Sequence, residues 1–162
     1  MPGIAVFPGS FDPVTKGHES IVQRALPLFD SIIVAIGSNS TKSYMFHLEK
    51  RKKWLEQTFA SNPKIKIVDY SSLTVELCRK HKANYILRGL RSVTDFEYES
   101  NIAKMNRMME PSIETIFMLA LPEFSAIQSW QFERLPKRNG YVQRARSDEH
   151  YCPCDERRDV HD

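Results

Sequence analysis

Short apolar runs rich in β-branched residues alternate along this chain with segments whose apolar residues recur at helical spacing. That alternation constrains the fold more than any other feature. Residues 4–7, 31–36, 65–68, 85–87 and 115–119 read as strands apolar enough to be buried on both faces. Helical patterns occupy residues 17–28, 48–59, 74–81 and 96–109 between them. A repeated strand–helix–strand order gives an α/β fold with a parallel sheet, right-handed crossovers and helices on both faces. In such sheets a ligand sits beyond the carboxyl ends of the strands, where the strand order reverses. At 162 residues the chain is one domain by length, with enough apolar sequence to bury a core.

The joint after the first strand is the most informative local stretch. Pro8-Gly9-Ser10-Phe11-Asp12-Pro13-Val14-Thr15-Lys16-Gly17-His18 leads from the run 4–7 into a helical pattern carrying Ile21, Val22, Ala25 and Leu26. A strand running through a Gly/Pro loop into a helix aims backbone N–H groups and the positive end of a helix dipole at one point, which suits a phosphate. His18 falls in the first helical turn, placed to offer an imidazole N–H to the same anion. Read as bare geometry, the stretch is equally an ordinary strand–turn–helix joint with an exposed His.

Composition narrows the function. A hydrophobic content of 41% with 27% charged residues is that of a soluble globular protein. No apolar run approaches the roughly 18 residues needed to cross a bilayer. The start of the chain carries no basic segment followed by an apolar stretch, so no secretory signal is expected. Cys78, Cys152 and Cys154 are too few and too irregular for a disulfide framework, and a reducing cytoplasm is the expected location. A net charge of +3, with no basic block interleaved with aromatics, argues against nucleic acid as a partner.

The sequence from Pro8 to His18 resembles the T/HxGH signature of the nucleotidyltransferase superfamily, and Thr15 at the first signature position resembles the phosphopantetheine adenylyltransferases in particular. A second block, Leu87-Arg88-Gly89-Leu90-Arg91 followed by Asp95-Phe96-Glu97-Tyr98-Glu99 and Asn106-Arg107, resembles the same family at the family's spacing. The likeness runs from about Ile4 to Ile127. It implies a Rossmann-like sheet of strand order 3-2-1-4-5, placing both motifs at the crevice where the order reverses. It also implies a homohexamer, with ATP and 4′-phosphopantetheine as substrates and dephospho-coenzyme A and pyrophosphate as products. A phosphate oxygen is already a competent nucleophile at neutral pH, so such a reaction needs positioning and charge stabilisation rather than a base or a covalent intermediate.

The resemblance assigns residues. It implies His18 as the transition-state stabiliser on the α-phosphate. Ser10, Lys42, Thr74 and Arg88 fall at substrate-binding positions on the pantetheine side. Ser10, Phe11, His18, Gly89, Leu90, Arg91, Glu99, Ile127 and Ser129 fall at ATP-binding positions. Thr74 also reads as a helix N-cap before Glu76. Asp95, Glu97 and Glu99 also read as an acidic helix start. Mg²⁺ is expected with ATP, held by substrate oxygens and water, and no metal cage is formed by protein side chains alone. Cys152-Pro153-Cys154 is too closely spaced for an ordinary zinc site.

The pattern changes at Gln128. Residues 128–162 contain fourteen charged residues, seven of each sign, so the preceding body carries the whole net charge. Apolar positions there are sparse and show no helical period, which predicts a poorly packed segment distinct from a nucleotidyltransferase domain at 1–127. The family continues with a Ser-rich ISSS/T-x-x-R stretch. Here only Ile127 and Ser129 match it, and Arg134 stands one place late, as a replaced end or a shifted reading frame would give. Two alternatives therefore accompany the adenylyltransferase reading. One is another member of the superfamily, such as a glycerol-phosphate cytidylyltransferase or a nicotinamide-mononucleotide adenylyltransferase. The other is a folded member impaired in ATP binding by its altered end.

Overall fold

The computed structural model describes residues 3–38 and 43–125. Five strands, β1 (Ile4–Gly9), β2 (Ser31–Gly37), β3 (Ile65–Tyr70), β4 (Tyr85–Leu90) and β5 (Glu114–Leu119), form one sheet of order β3-β2-β1-β4-β5. Every neighbouring pair is parallel. Helices α1 (Lys16–Ala25), α2 (Leu48–Phe59), α3 (Thr74–His81) and α4 (Val93–Met109) connect consecutive strands, and a short α5 (Pro122–Ser125) follows β5.

The three inner strands are apolar at nearly every position because both of their faces are covered. On one face Ala5, Phe7, Ile32, Val34, Ile36 and Leu87 pack with Ile21 and Val22 of α1 and Trp54 and Leu55 of α2. On the other, Val6, Ile33, Ala35 and Ile86 pack with Val75, Leu77 and Cys78 of α3. The outer strands correct the expectation of two-sided burial. Among the described residues β3 and β5 each have one neighbouring strand, and Lys66, Asp69, Glu114 and Leu119 are exposed.

Element ends also differ from the sequence reading. The helix expected over 17–28 starts at Lys16 and ends at Ala25, passing into a 3₁₀ turn at Leu26–Leu28. Pro27 lacks the N–H that the next helical bond would need. The helix expected from Phe96 begins at Val93, because the Ser92 side chain caps it by accepting from the Asp95 N–H at 3.1 Å.

The decisive difference lies at the strand ends. β1 runs on through Pro8 to Gly9 and β4 through Arg88 to Leu90, so residues read as loop are strand. β1 pairs with β2 along its full length, from Ile4↔Ser31 to Gly9↔Ile36. Its pairing with β4 is confined to Ala5↔Tyr85 and Val6↔Ile86. Pro8 has no N–H to give a ladder. The two central strands therefore part at the point where strand order reverses, and the crevice opens between them.

The connection into β4 has one strained residue. Lys82 closes α3 at φ 55°, a left-handed conformation that glycine adopts without penalty. Lys82→Gly is expected to stabilise the protein by up to about 1 kcal/mol, read from the midpoint of urea denaturation. An unchanged or lower midpoint would show that the exposed Lys82 side chain contributes more than the backbone strain costs.

Candidate active site

The end of β1 is folded over itself. A methyl group on Gly9 would meet the Phe11 ring at 2.9 Å, so only glycine lets the loop turn back this tightly. Phe11 has φ 47°, unusual for a bulky residue, and its ring sits edge-on to Phe7 and His18 at centroid distances of 5.6 and 5.1 Å. The Phe11 side chain is buried, so it can meet a ligand only through its backbone.

Thr15 caps α1, and its partner in the capping box is His18 rather than the usual Glu or Gln. His18 Nδ1 accepts from the Thr15 backbone N–H at 3.0 Å, and the Thr15 hydroxyl lies 2.9 Å from the same nitrogen. A ring nitrogen that accepts a backbone N–H carries no proton, so the neutral imidazole bears its hydrogen on Nε2. Burial, then the positive charges of Arg91 and Arg88, push the His18 pKa down to about 4. At neutral pH the ring is therefore an uncharged donor with a fixed tautomer.

Arg88 occupies the gap between the parted strands. Its Nε donates to Glu99 at 2.7 Å, its Nη2 donates to the other Glu99 oxygen, and its Nη1 donates to the Pro8 carbonyl at 2.5 Å. Glu99 is one of the two residues that α4 buries, the other being Asn106. Arg91 pairs with Asp95, Nε to Oδ2 at 3.0 Å, one turn into α4.

Two adjoining chambers open on this wall. The smaller, about 390 Å³, is lined by Phe11, Gly17, His18, Gly89, Arg91 and Asp95. The larger, about 900 Å³, is lined by Ser38, Tyr70, Ser71, Ser72, Thr74 and Asn106. Pro8, Gly9, Ser10, Tyr44, Arg88, Tyr98 and Glu99 line both. Thr74 is the first residue of α3 rather than its cap, which is Leu73, and its hydroxyl lies 3.2 Å from that of Tyr70. The structure thus brings together Ser10, Phe11, His18, Thr74, Arg88, Gly89, Arg91 and Glu99. Leu90 lines neither chamber. Its side chain is in the core and its carbonyl accepts from the Ala120 N–H at 2.7 Å. Gly89 also lets α1 approach β4 closely, since an added methyl would lie 3.3 Å from Ile21. Lys42, Ile127 and Ser129 lie outside the described residues, as does the segment from Gln128 onward.

Asp12, Arg51 and Tyr44 support the site, and the sequence reading gave none of them a role. The buried Asp12 carboxylate accepts from the N–H groups of Met45 and Phe46 at 2.6 and 2.9 Å, tying the loop before α2 to the first motif. The buried Arg51 donates from Nε to the Phe46 carbonyl at 3.1 Å and from Nη1 to the Ser10 carbonyl at 2.6 Å. Its guanidinium stacks on the Tyr44 ring at 4.1 Å. A signal for Arg51 exists: it stands three and four residues before Trp54 and Leu55, on the buried face of α2.

The family model described as cytidylyltransferase-like matches residues 6–141. The phosphopantetheine adenylyltransferase of Flavobacterium johnsoniae is 52% identical over 125 residues, covering 77% of this chain and 82% of that protein. That of Cytophaga hutchinsonii is 41% identical over 142 residues, covering 88% and 95%. Among solved structures, the nicotinic acid mononucleotide adenylyltransferase of Plasmodium falciparum, complexed with NaAD, aligns with a TM-score of 0.60. It is 18% identical and covers 94% of this chain and 92% of its own. A bifunctional NMN adenylyltransferase/ADP ribose pyrophosphatase of Francisella tularensis aligns with a TM-score of 0.60 at 20% identity, covering 82% of this chain and 40% of its own. These structures bear on the fold alone. The chain therefore belongs to the cytidylyltransferase-like family and, within it, to the phosphopantetheine adenylyltransferases.

The depressed pKa of His18 has a stability consequence. Between the ordinary histidine value of 6.5 and about 4, the unfolded chain binds a proton at this residue that the folded chain does not. Stability must fall as pH drops through that window. His18→Gln, which cannot titrate, is expected to show a shallower loss of urea midpoint between pH 6.5 and pH 4 than the parent. Equal slopes would mean that His18 is not held neutral.

Proposed function

We propose that this protein transfers the adenylyl group of ATP to 4′-phosphopantetheine, releasing pyrophosphate and forming dephospho-coenzyme A. The observation that carries this reading is the pair of adjoining chambers with Ser10 and Arg88 on their common wall. A reaction that joins two phosphorylated substrates needs two sites meeting where the new bond forms. The smaller chamber, with His18, Gly89 and Arg91, takes ATP. The larger, with Thr74 and the Ser71-Ser72 edge, takes the pantetheine arm.

Three of the five N–H groups of Arg88 are engaged by Glu99 and Pro8. The other two have no partner among the described residues and supply the acceptor phosphate. Glu99 reaches ATP, as the resemblance implies, only from this ion pair. The acceptor oxygen attacks the α-phosphorus in line while the Nε2–H of His18 donates to the oxygen that gains charge. A neutral donor at this place gains most from the transition state, where that charge is largest.

The carboxylates lining the smaller chamber are already occupied: Asp12 by backbone N–H groups, Asp95 by Arg91 and Glu99 by Arg88. Among the described residues no group of acids, His or Cys is spaced to cage a metal. Mg²⁺ enters this reading as the ion that ATP brings, on phosphate oxygens and water. A cytoplasmic homohexamer belongs to the same proposal, and mass in solution tests the assembly. The sequence from Gln128 favours a second reading, a folded member impaired in ATP binding. ATP titration by calorimetry beside a turnover assay separates the two.

The test of function is pyrophosphate release from ATP with 4′-phosphopantetheine, set against nicotinamide mononucleotide as acceptor. Turnover with the first alone supports the proposal, and preference for the second overturns it. His18→Ala is expected to lower kcat by about 10²–10³ with KM for both substrates changing much less. A loss within threefold removes His18 from the chemistry. Arg88→Ala is expected to raise KM for phosphopantetheine far more than KM for ATP, since its phosphate loses a charged partner. Equal effects on both would sink the assignment of Arg88 to the acceptor.

A further inference from the structure

We infer that Arg51 is a positioning residue that turns the Ser10–Phe11 peptide so that the Phe11 N–H faces the smaller chamber as a phosphate donor. The inference rests on the adenylyl-transfer reading of that chamber and adds a part to it.

The argument begins with the peptide plane. The Ser10–Phe11 bond is trans, so the Ser10 carbonyl and the Phe11 N–H point in opposite directions. The carbonyl is held at 2.6 Å by Arg51 Nη1. Arg51 is buried, lines neither chamber, and reaches this loop from α2, forty-one residues along the chain. Pulling the carbonyl toward α2 leaves the N–H directed away from it. Phe11 itself lines the smaller chamber, its side chain is packed under Phe7 and His18, and its N–H has no partner among the described residues.

Two further facts show that the hold matters. Phe11 sits at φ 47°, a conformation that a bulky residue leaves unless its surroundings fix it. The second fact is charge. A buried guanidinium whose hydrogen bonds among the described residues go to the Ser10 and Phe46 carbonyls, and which stacks on Tyr44, places a positive charge directly behind the peptide. That charge polarises the Ser10–Phe11 amide and strengthens its N–H as a donor to an anion. Lysine could supply the charge but not both carbonyl contacts, because its ammonium is a point donor and the guanidinium is a planar fork.

The experiment is amide NMR of the whole chain titrated with inorganic pyrophosphate. In the parent, the Phe11 amide and the His18 Nε2–H are expected to move downfield together. In Arg51→Met the Phe11 shift is expected to fall to less than a third while the His18 shift persists. In Arg51→Lys the Phe11 shift is expected to fall by about half. Turnover in both variants should show a kcat loss of about 10–100-fold, the scale of a misplaced donor, with KM for phosphopantetheine within twofold. A full Phe11 shift in either variant overturns the inference and leaves the adenylyl-transfer reading standing. If Arg51→Met gives no dispersed spectrum, Arg51→Lys decides by the same criterion. A parent in which neither signal moves overturns that reading and the inference with it.

Discussion

The fold depends on how the gap between β1 and β4 is filled. The two strands at the centre of the sheet stop pairing after two residue pairs, where continuous pairing would make a closed sheet with no site. What replaces the missing ladder is a side chain: Arg88 leaves β4, reaches back to the Pro8 carbonyl of β1 and is gripped by Glu99 of α4. The same guanidinium thus bridges the sheet, anchors a helix and faces both chambers. Removing Glu99 would leave Arg88 half-buried without its counter-charge, which is far more costly than losing an exposed ion pair.

The first motif acts by a different economy. Its backbone is forced by Gly9, by the left-handed Phe11 and by the Thr15–His18 capping box, with Asp12 and Arg51 clamping it from the α2 side. Of these groups only the Phe11 N–H and the His18 ring need meet a substrate, and Arg51 lines neither chamber. They fix the direction in which a few N–H donors point, so that little reorganisation is left for the moment of reaction.

The inner strands were legible because strands covered on both faces carry unbroken apolar runs, as in 31–36. Their carboxyl ends were not, because Pro8, Gly9, Arg88 and Gly89 look like loop residues by composition yet continue the strands. The starts of α2 and α3 were legible from helical periodicity. The start of α4 was not, since Val93-Thr94-Asp95 presents no apolar stripe: Val93 lies 76% exposed. For the site, the two motifs could be read from residue types and spacing. The pairing of Arg88 with Glu99 could not, because each was visible only as a candidate for a different ligand. Arg51 sits among Lys50, Lys52 and Lys53, and charge alone hides which of these points inward.

The pairing of both arginines has a consequence for how ligands arrive. Arg88 lies against Glu99 and Arg91 against Asp95, so each cation is matched by an acid before any substrate is present. At a distance of more than a Debye length, roughly 8 Å at physiological ionic strength, such pairs exert little field. These two arginines therefore add little long-range pull on a polyanion. Recognition is short-ranged and geometric, made by donors that act only once a phosphate is seated. The share of the capture rate owed to Arg88 and Arg91 should vary little with added salt, whereas unpaired arginines in their places would lose substrates as ionic strength rose.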